Sequence, residues 1–147
     1  MRAYPVGVRS HLLAAAVVPL VIVAASSAAA PPVALLTGVR AQPAMVTFTF
    51  RSKPARITSG YVTKAQLRED GSGRPVAVKG KAFVVIRFTP ASDARGAERL
   101  KPAAPGPVQE VVRTGNFEAV LSWAIGLDRH RPFHVVRSGA NVVVTVG

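Results

Sequence analysis

From Val33 to the C terminus, apolar and polar side chains alternate in short segments, and no stretch repeats its apolar residues with a helical period. In residues 46–50 (VTFTF), Thr47 and Thr49 would face solvent while the three apolar residues share the other face. Residues 81–89 (KAFVVIRFT) repeat this pattern. Because successive side chains of a strand point to opposite faces, the alternation predicts an all-β chain.

Clusters of Gly, Pro and Asp separate the predicted strands, which are residues 33–40, 46–50, 57–64, 81–89, 108–113, 118–125, 133–137 and 141–146. The sequence 138–141 (SGAN) is typical of a tight hairpin. Residues 91–107, rich in Pro and Gly, carry no periodic pattern and are predicted to be a mobile surface loop. About eight short strands in a chain of one domain's length predict a small β-sandwich.

The N-terminal segment has the order of a secretory signal peptide. Arg2 and Arg9 precede an uncharged apolar run at 12–25, and small residues follow at 26–30. We expect residues 1–29 to be a helical leader and 30–147 the mature domain, with Pro31 favouring cleavage after Ala28 or Ala29 over cleavage after residue 30.

An uncleaved membrane anchor is the alternative, because residues 12–36 could cross a hydrocarbon layer of about 30 Å. The chain has no cysteine, so neither a lipid anchor nor a disulfide is expected. The leader pattern therefore predicts a secreted or cell-wall-associated protein with no stable membrane span once the leader is removed.

The chain is strongly basic, with 19 Lys and Arg against 7 Asp and Glu and a formal charge of +12. Since Arg2 and Arg9 are the charged residues of the predicted leader, its removal lowers this charge only to +10. A basic surface favours anionic partners. Nucleic acid is not predicted, because the aromatic residues lie mostly on the apolar side of each alternation rather than among the cations.

The sequence contains no recognisable catalytic constellation. The predicted mature chain has two histidines, His130 and His134, and no Gly-x-Ser-x-Gly turn. Pro132 breaks the helical spacing that would let these histidines share a metal, so they are interpreted as surface residues beside a turn. No catalytic residue, metal or cofactor is therefore predicted, and an unrecognised enzyme is the least favoured alternative.

Trp123 lies within the predicted strand 118–125, in the sequence LSWAI. A large aromatic residue among apolar neighbours favours core packing over an exposed platform for sugar stacking. We therefore expect Trp123 to be buried.

A series of short motifs runs along the predicted mature chain. They are residues 36–40 (LTGVR), 47–50 (TFTF), 60–62 (GYV), 71–76 (GSGRPV), 110–118 (EVVRTGNFE), 122–123 (SW), 126–128 (GLD) and 131–133 (RPF). Together they closely resemble the AMIN-like domain of secreted proteins from high-G+C Gram-positive bacteria, over about residues 33–147. The chain departs from that pattern at Ala44 and Met45, where a polar Asp-Arg pair is common, and at Thr145, where an acidic residue is common.

This family is named after AMIN domains, β-sandwiches that bring cell-wall amidases and secretin components to the envelope by binding peptidoglycan. The resemblance implies a non-enzymatic envelope module by analogy. Together with the charge, it predicts that anionic cell-wall polymer or peptidoglycan is the ligand. Guanidinium groups match carboxylates and phosphates, and the candidate ligand-binding residues, which flank the most similar strands, are Arg113, Arg129, Arg131 and Arg137.

A protein–protein interaction domain is the alternative function. It would dock another secreted protein through an exposed sheet edge or through the predicted loop 91–107.

Overall fold

Two facing β-sheets make up the domain in the computed structural model, which describes residues 27–95 and 98–147. Sheet A has the strand order β5-β1-β2-β10-β9, and sheet B has the order β3-β4-β8-β7-β6. The strands are β1 Ala34–Gln42, β2 Met45–Phe50, β3 Arg56–Val62, β4 Ala82–Thr89, β5 Ala91–Asp93, β6 Arg99–Leu100, β7 Val108–Phe117, β8 Val120–Leu127, β9 Phe133–Ser138 and β10 Asn141–Val146. The predicted all-β sandwich is confirmed.

Strands β5 and β6 lie within the stretch 91–107 that the sequence predicts to be a loop. β5 is the parallel neighbour of β1, with Ala91 opposite Ala34, whereas the other strand pairs are antiparallel. β6 pairs with β7 through Arg99 and Leu100. Strands of three and two residues are too short to show an alternating pattern, and pairing with distant strands defines them.

The β7–β8 turn differs from its prediction. Glu118 and Ala119, placed by the sequence at the start of a strand, instead occupy the turn with positive φ angles of 49° and 59°. No glycine marks this turn, so its sequence carries no hairpin signal. The predicted hairpin between β9 and β10 is confirmed, since Ser138 pairs with Asn141 across Gly139 at φ 58°.

The main core lies between the sheets and follows the predicted alternation. Trp123 is fully buried, as predicted, and its ring centroid lies 5.8 Å from that of Phe48 in an edge-on contact. Phe48 also packs against Phe88 at 5.1 Å. These contacts join β2 of sheet A to β4 and β8 of sheet B.

A second, smaller apolar cluster covers the outer face of sheet B. Leu67 and Val78, from the segment between β3 and β4, pack with Phe83, Val85 and other buried residues of sheet B. This segment begins with a short 3₁₀ helix, Lys64–Gln66. The covering segment leaves a groove beside the helix, where the ends of β3 and β4 meet.

The predicted leader, residues 1–29, lies almost entirely outside the described residues. Its helical form, its cleavage and the domain boundary at residue 30 stay predictions.

Candidate functional site

The four arginines predicted to bind ligand occupy three separate places. Arg129 and Arg131 lie in the turn between β8 and β9, Arg137 lies near the far end of β9, and Arg113 lies on β7 of sheet B. Arg137 is thus separated from Arg131 by most of a strand, roughly 20 Å at about 3.3 Å per residue. The structure does not gather these residues into one pocket.

Arg113 is engaged inside the protein. Its side chain is only 15% exposed, and its guanidinium lies 3.3 Å from Asp93 and 2.6 Å from Glu98. It also donates a hydrogen bond to the backbone carbonyl of Arg95 at 3.2 Å. The guanidinium N–H groups of Arg113 that form these contacts are therefore already bonded to partners within the domain.

Arg131 forms a two-pronged ion pair with Asp128, with Nε and Nη2 at 2.8 and 2.9 Å from the two carboxylate oxygens. This hydrogen bonding lowers the pKa of Asp128 to about 2 and raises the pKa of Arg131. The backbone N–H of Arg131 donates to the hydroxyl of Tyr61 at 2.9 Å, and that hydroxyl donates to the Arg131 carbonyl. These contacts fasten the 128–131 turn to the end of β3.

Arg129 and Arg137 are both exposed, and neither forms an ion pair within the described part of the chain. Of the four predicted residues, these two have guanidinium groups available to an external anion.

The acidic side chains are mostly paired within the domain. Ion pairs join Glu69 to Arg74, Asp93 to Arg95 and Arg113, Glu98 to Arg113, Glu110 to Arg99, and Asp128 to Arg131. Asp70 accepts a hydrogen bond from the hydroxyl of Ser122. Across residues 27–95 and 98–147, Glu118 is the one exposed carboxylate with no ion pair.

Glu110 is an example of a carboxylate whose charge is neutralised by contacts within the domain. Burial raises its pKa, but the hydrogen bonds donated by Arg99 and by the backbone N–H of Lys79 outweigh burial and leave the pKa below its ordinary value. The Arg99 contact measures 2.7 Å, as does the Lys79 contact. The charge of Glu110 is thus neutralised locally and contributes little to the field outside.

The remaining cations are all exposed and form no ion pair among the described residues. They are Arg40, Arg51, Lys53, Arg56, Lys64, Arg68, Lys79, Lys81, Arg87, Lys101, Arg129 and Arg137. Because internal pairs use the carboxylates, the unpaired charge at the surface is nearly all positive.

A groove of about 670 Å³ lies beside the 3₁₀ helix. Tyr61 and His130 stack on each other there, with ring centroids 4.0 Å apart and planes 20° from parallel. Lys64 and Lys81 are exposed lining residues, and Phe83 is buried behind them. Sequence reasoning missed this groove because residues about 70 positions apart form it, and no periodic pattern connects them.

The motifs that carry the family resemblance hold the fold together. Gly115 lies against the carboxylate of Asp70, and Gly126 against the backbone carbonyl of Lys79, so a Cβ at either glycine would clash. The side-chain amide of Asn116 donates to the backbone carbonyl of Asp93 at 3.0 Å. The resemblance therefore reflects the fold of the domain more directly than a ligand site.

Among the described residues, no three His, Asp or Glu side chains come close enough to hold a metal ion. That part of the chain also has no helix long and apolar enough to cross a membrane.

A family model described as "AMIN-like domain" matches residues 35–147. No curated protein and no solved structure matches the chain. The match covers nearly all of the two-sheet domain, and it confirms the resemblance inferred from the short motifs. The chain therefore belongs to the AMIN-like domain family.

Proposed function

We propose that this protein is a secreted, non-enzymatic module that binds anionic cell-wall polymer or peptidoglycan through exposed cations. Membership of the AMIN-like family supports an extracytoplasmic, peptidoglycan-associated role by analogy. The observation that carries the proposal is the distribution of charge: the carboxylates are mostly paired internally, whereas the unpaired cations are exposed.

Binding of this kind is multivalent. An exposed ion pair contributes only about 0.2–1 kcal/mol, so a single arginine cannot retain the protein on a wall. Several weak contacts to one polymer act together, because the first contact raises the local concentration of the others. A polymer that crosses the domain can therefore use cations at both ends of the sandwich.

Among the predicted binding residues, we assign direct contact to Arg129 and Arg137, whose guanidinium groups are exposed. Arg131 orders the turn that carries Arg129, through its pair with Asp128. Arg113 supports binding indirectly, by joining the two sheets.

Sedimentation with purified cell walls tests the proposal. Raising salt from 0.1 to 1 M shortens the Debye length from about 10 to about 3 Å and should release the protein. The double charge reversal Arg129→Glu with Arg137→Glu should weaken retention, whereas Arg129→Lys with Arg137→Lys should largely preserve it. Walls stripped of anionic polymer should bind poorly. Retention that persists in 1 M salt and survives the charge reversal would overturn the proposal.

A protein-interaction role is the second candidate, and the edge strand β9 favours it. Among the described strands, β9 lies at the edge of sheet A beside β10, and Val136 on it is 56% exposed. An exposed edge can accept a strand from another chain. Wall material freed of protein separates the two functions, because a polymer-binding module sediments with it and a module that needs a protein partner does not.

A further inference from the structure

We propose that the groove containing Tyr61, Lys64, Lys81 and His130 binds an acidic sugar: a pyranose ring that carries an anionic substituent. This inference rests on the proposed wall-binding function and adds to it a defined site with a ligand class. We call these four residues the Tyr61 groove.

The size of the groove suits a small ligand. Sites for small molecules usually measure about 300–1,000 Å³, and the groove measures about 670 Å³. It opens beside the 3₁₀ helix Lys64–Gln66 and reaches the buried ring of Phe83. The space is sufficient for a ring with substituents and is much smaller than a surface for a folded partner.

The Tyr61–His130 stack supplies an aromatic surface that is already in place. The rings lie 4.0 Å apart and nearly parallel, and His130 is exposed. Phe133 packs edge-on against Tyr61 at 5.5 Å, and the Tyr61 hydroxyl is bonded to the backbone of Arg131. A ring held from two sides loses little freedom when a ligand packs on it. The C–H face of a pyranose carries a weak positive charge that suits the negative face of an aromatic ring.

Two lysines determine the charge of the ligand. Lys64 and Lys81 are exposed, and neither forms an ion pair in the described part of the chain. The backbone N–H of Lys81 donates to the carbonyl of Leu127 at 2.7 Å, which fixes where this side chain starts. The neighbouring carboxylate, Asp128, is occupied by Arg131. An anionic substituent would therefore meet uncompensated positive charge beside the aromatic stack.

Single-stranded nucleic acid is a poorer fit for the same groove. Its recognition uses a series of aromatic side chains on which successive bases stack. The groove offers one stacked pair, and the neighbouring Phe83 is buried. A single sugar ring with one anionic group matches this arrangement better than single-stranded nucleic acid does.

The test is a nuclear magnetic resonance titration of the ¹⁵N-labelled domain with three monosaccharides. N-acetylmuramic acid carries a carboxylate, N-acetylglucosamine 6-phosphate carries a phosphate, and N-acetylglucosamine is the neutral control. We expect the acidic sugars to shift amide signals around the Tyr61 groove, with the neutral sugar binding at least several-fold more weakly. The stronger of the two acidic sugars identifies the anion that the site prefers.

Matched variants locate the binding. Lys64→Glu with Lys81→Glu should weaken binding of the acidic sugars by about tenfold or more, since it removes two charge-assisted contacts. Lys53→Glu with Arg56→Glu makes the same charge change at the opposite end of β3 and should have less than about a twofold effect, given how strongly salt screens distant exposed charges. His130→Ala should weaken the acidic and neutral sugars alike, because it removes part of the aromatic surface.

Several results would overturn the groove proposal: equal binding of neutral and acidic sugars, equal effects of the two double variants, or stronger binding of a short oligothymidylate than of any sugar. The sugar titration and the wall sedimentation together distinguish failure of the groove proposal from failure of the proposed wall-binding function. Salt-sensitive wall retention with no sugar binding in the groove would reject the groove alone. Specific sugar binding by a protein that does not sediment with walls would reject the wall-binding function and keep the groove.

Discussion

The guanidinium of Arg113, on strand β7 of sheet B, lies 3.3 Å from the carboxylate of Asp93, on strand β5 of sheet A. The Asp93 side chain is fully buried and also accepts a hydrogen bond from the backbone N–H of Arg95. Asn116, on β7, exchanges hydrogen bonds with the backbone of Asp93 in both directions. Polar contacts thus join the two sheets along this side of the sandwich.

Replacing Arg113 should destabilise the fold. Arg113→Met would leave the buried Asp93 carboxylate with only the longer ion pair to Arg95, at 3.7 Å, and removing one partner of a buried pair costs up to about 3–5 kcal/mol. Arg137→Met, at an exposed arginine that forms no ion pair with the described residues, should change stability by about 0.5 kcal/mol or less. Chemical denaturation of both variants measures this difference. Equal stabilities would show that the Arg113–Asp93 pair contributes nothing to the fold.

The sequence could not reveal this role of Arg113. Its charge and its place at the end of a predicted strand make it resemble the surface arginines, and that reasoning underlies its selection as a candidate ligand-binding residue. Its partner Asp93 lies 20 residues away in a strand of only three residues. Burial and ion pairing at such a site depend on tertiary contacts that no local pattern encodes.

The strands that are long enough to show repeated apolar–polar alternation could be predicted, because this alternation directly reflects one buried and one exposed face. Val46, Phe48 and Phe50 are buried as the pattern requires, and so is Trp123. The Tyr61 groove could not be predicted, since its residues come together only when β3 and the β8–β9 turn meet. Among the motifs that carry the family resemblance, the short motif 60–62 contributes Tyr61 to the groove.

Gly126 should not tolerate a side chain. An added Cβ would collide with the backbone carbonyl of Lys79, which a rotamer change cannot move aside. Gly126→Ala should therefore cost about 1–3 kcal/mol, as overpacking usually does. Gly60→Ala is the matched control on another strand of sheet B, where no atom of the described residues lies within 4 Å of the new Cβ. It should be neutral or stabilise the fold by up to about 1 kcal/mol. Thermal melts of the two variants compare them, and a destabilised Gly60→Ala with an unaffected Gly126→Ala would contradict the packing.

Trp123 should determine the stability of the main core. Trp123→Ala removes the edge-on contact with Phe48 and leaves a cavity, so it should cost about 3–5 kcal/mol. Trp123→Phe keeps an aromatic ring and removes an indole N–H that has no hydrogen-bond partner in the described part of the chain, so it should cost less. Denaturant unfolding measures both losses. A Trp123→Ala protein with an unchanged midpoint and no wall binding would instead identify Trp123 as a ligand platform.

The pair between Asp128 and Arg131 should make stability depend on pH in acid. Hydrogen bonding by Arg131 lowers the pKa of Asp128 from 3.8 to about 2 in the folded protein. Because the folded pKa is below the unfolded one, the ionised carboxylate favours folding, and this contribution is complete above about pH 4 and disappears as the pH falls towards 2. The Asp128→Asn variant lacks this pH-dependent contribution. The difference between the melting temperatures of variant and wild type isolates it, because the titration of the other carboxylates cancels in the difference.

The difference in melting temperature between wild type and Asp128→Asn should thus stay constant from pH 7 to about pH 5 and shrink between about pH 4 and pH 2. Arg131→Met should give the same pH profile, since it removes the donor that lowers the pKa. Glu118→Gln is the control, because it removes an exposed carboxylate that has no ion pair among the described residues, and a pH profile shared by Asp128→Asn and Arg131→Met but not by this control locates the effect in the ion pair. An Asp128→Asn difference that remained unchanged down to pH 2 would show that the negative charge of Asp128 adds no stability to the folded protein.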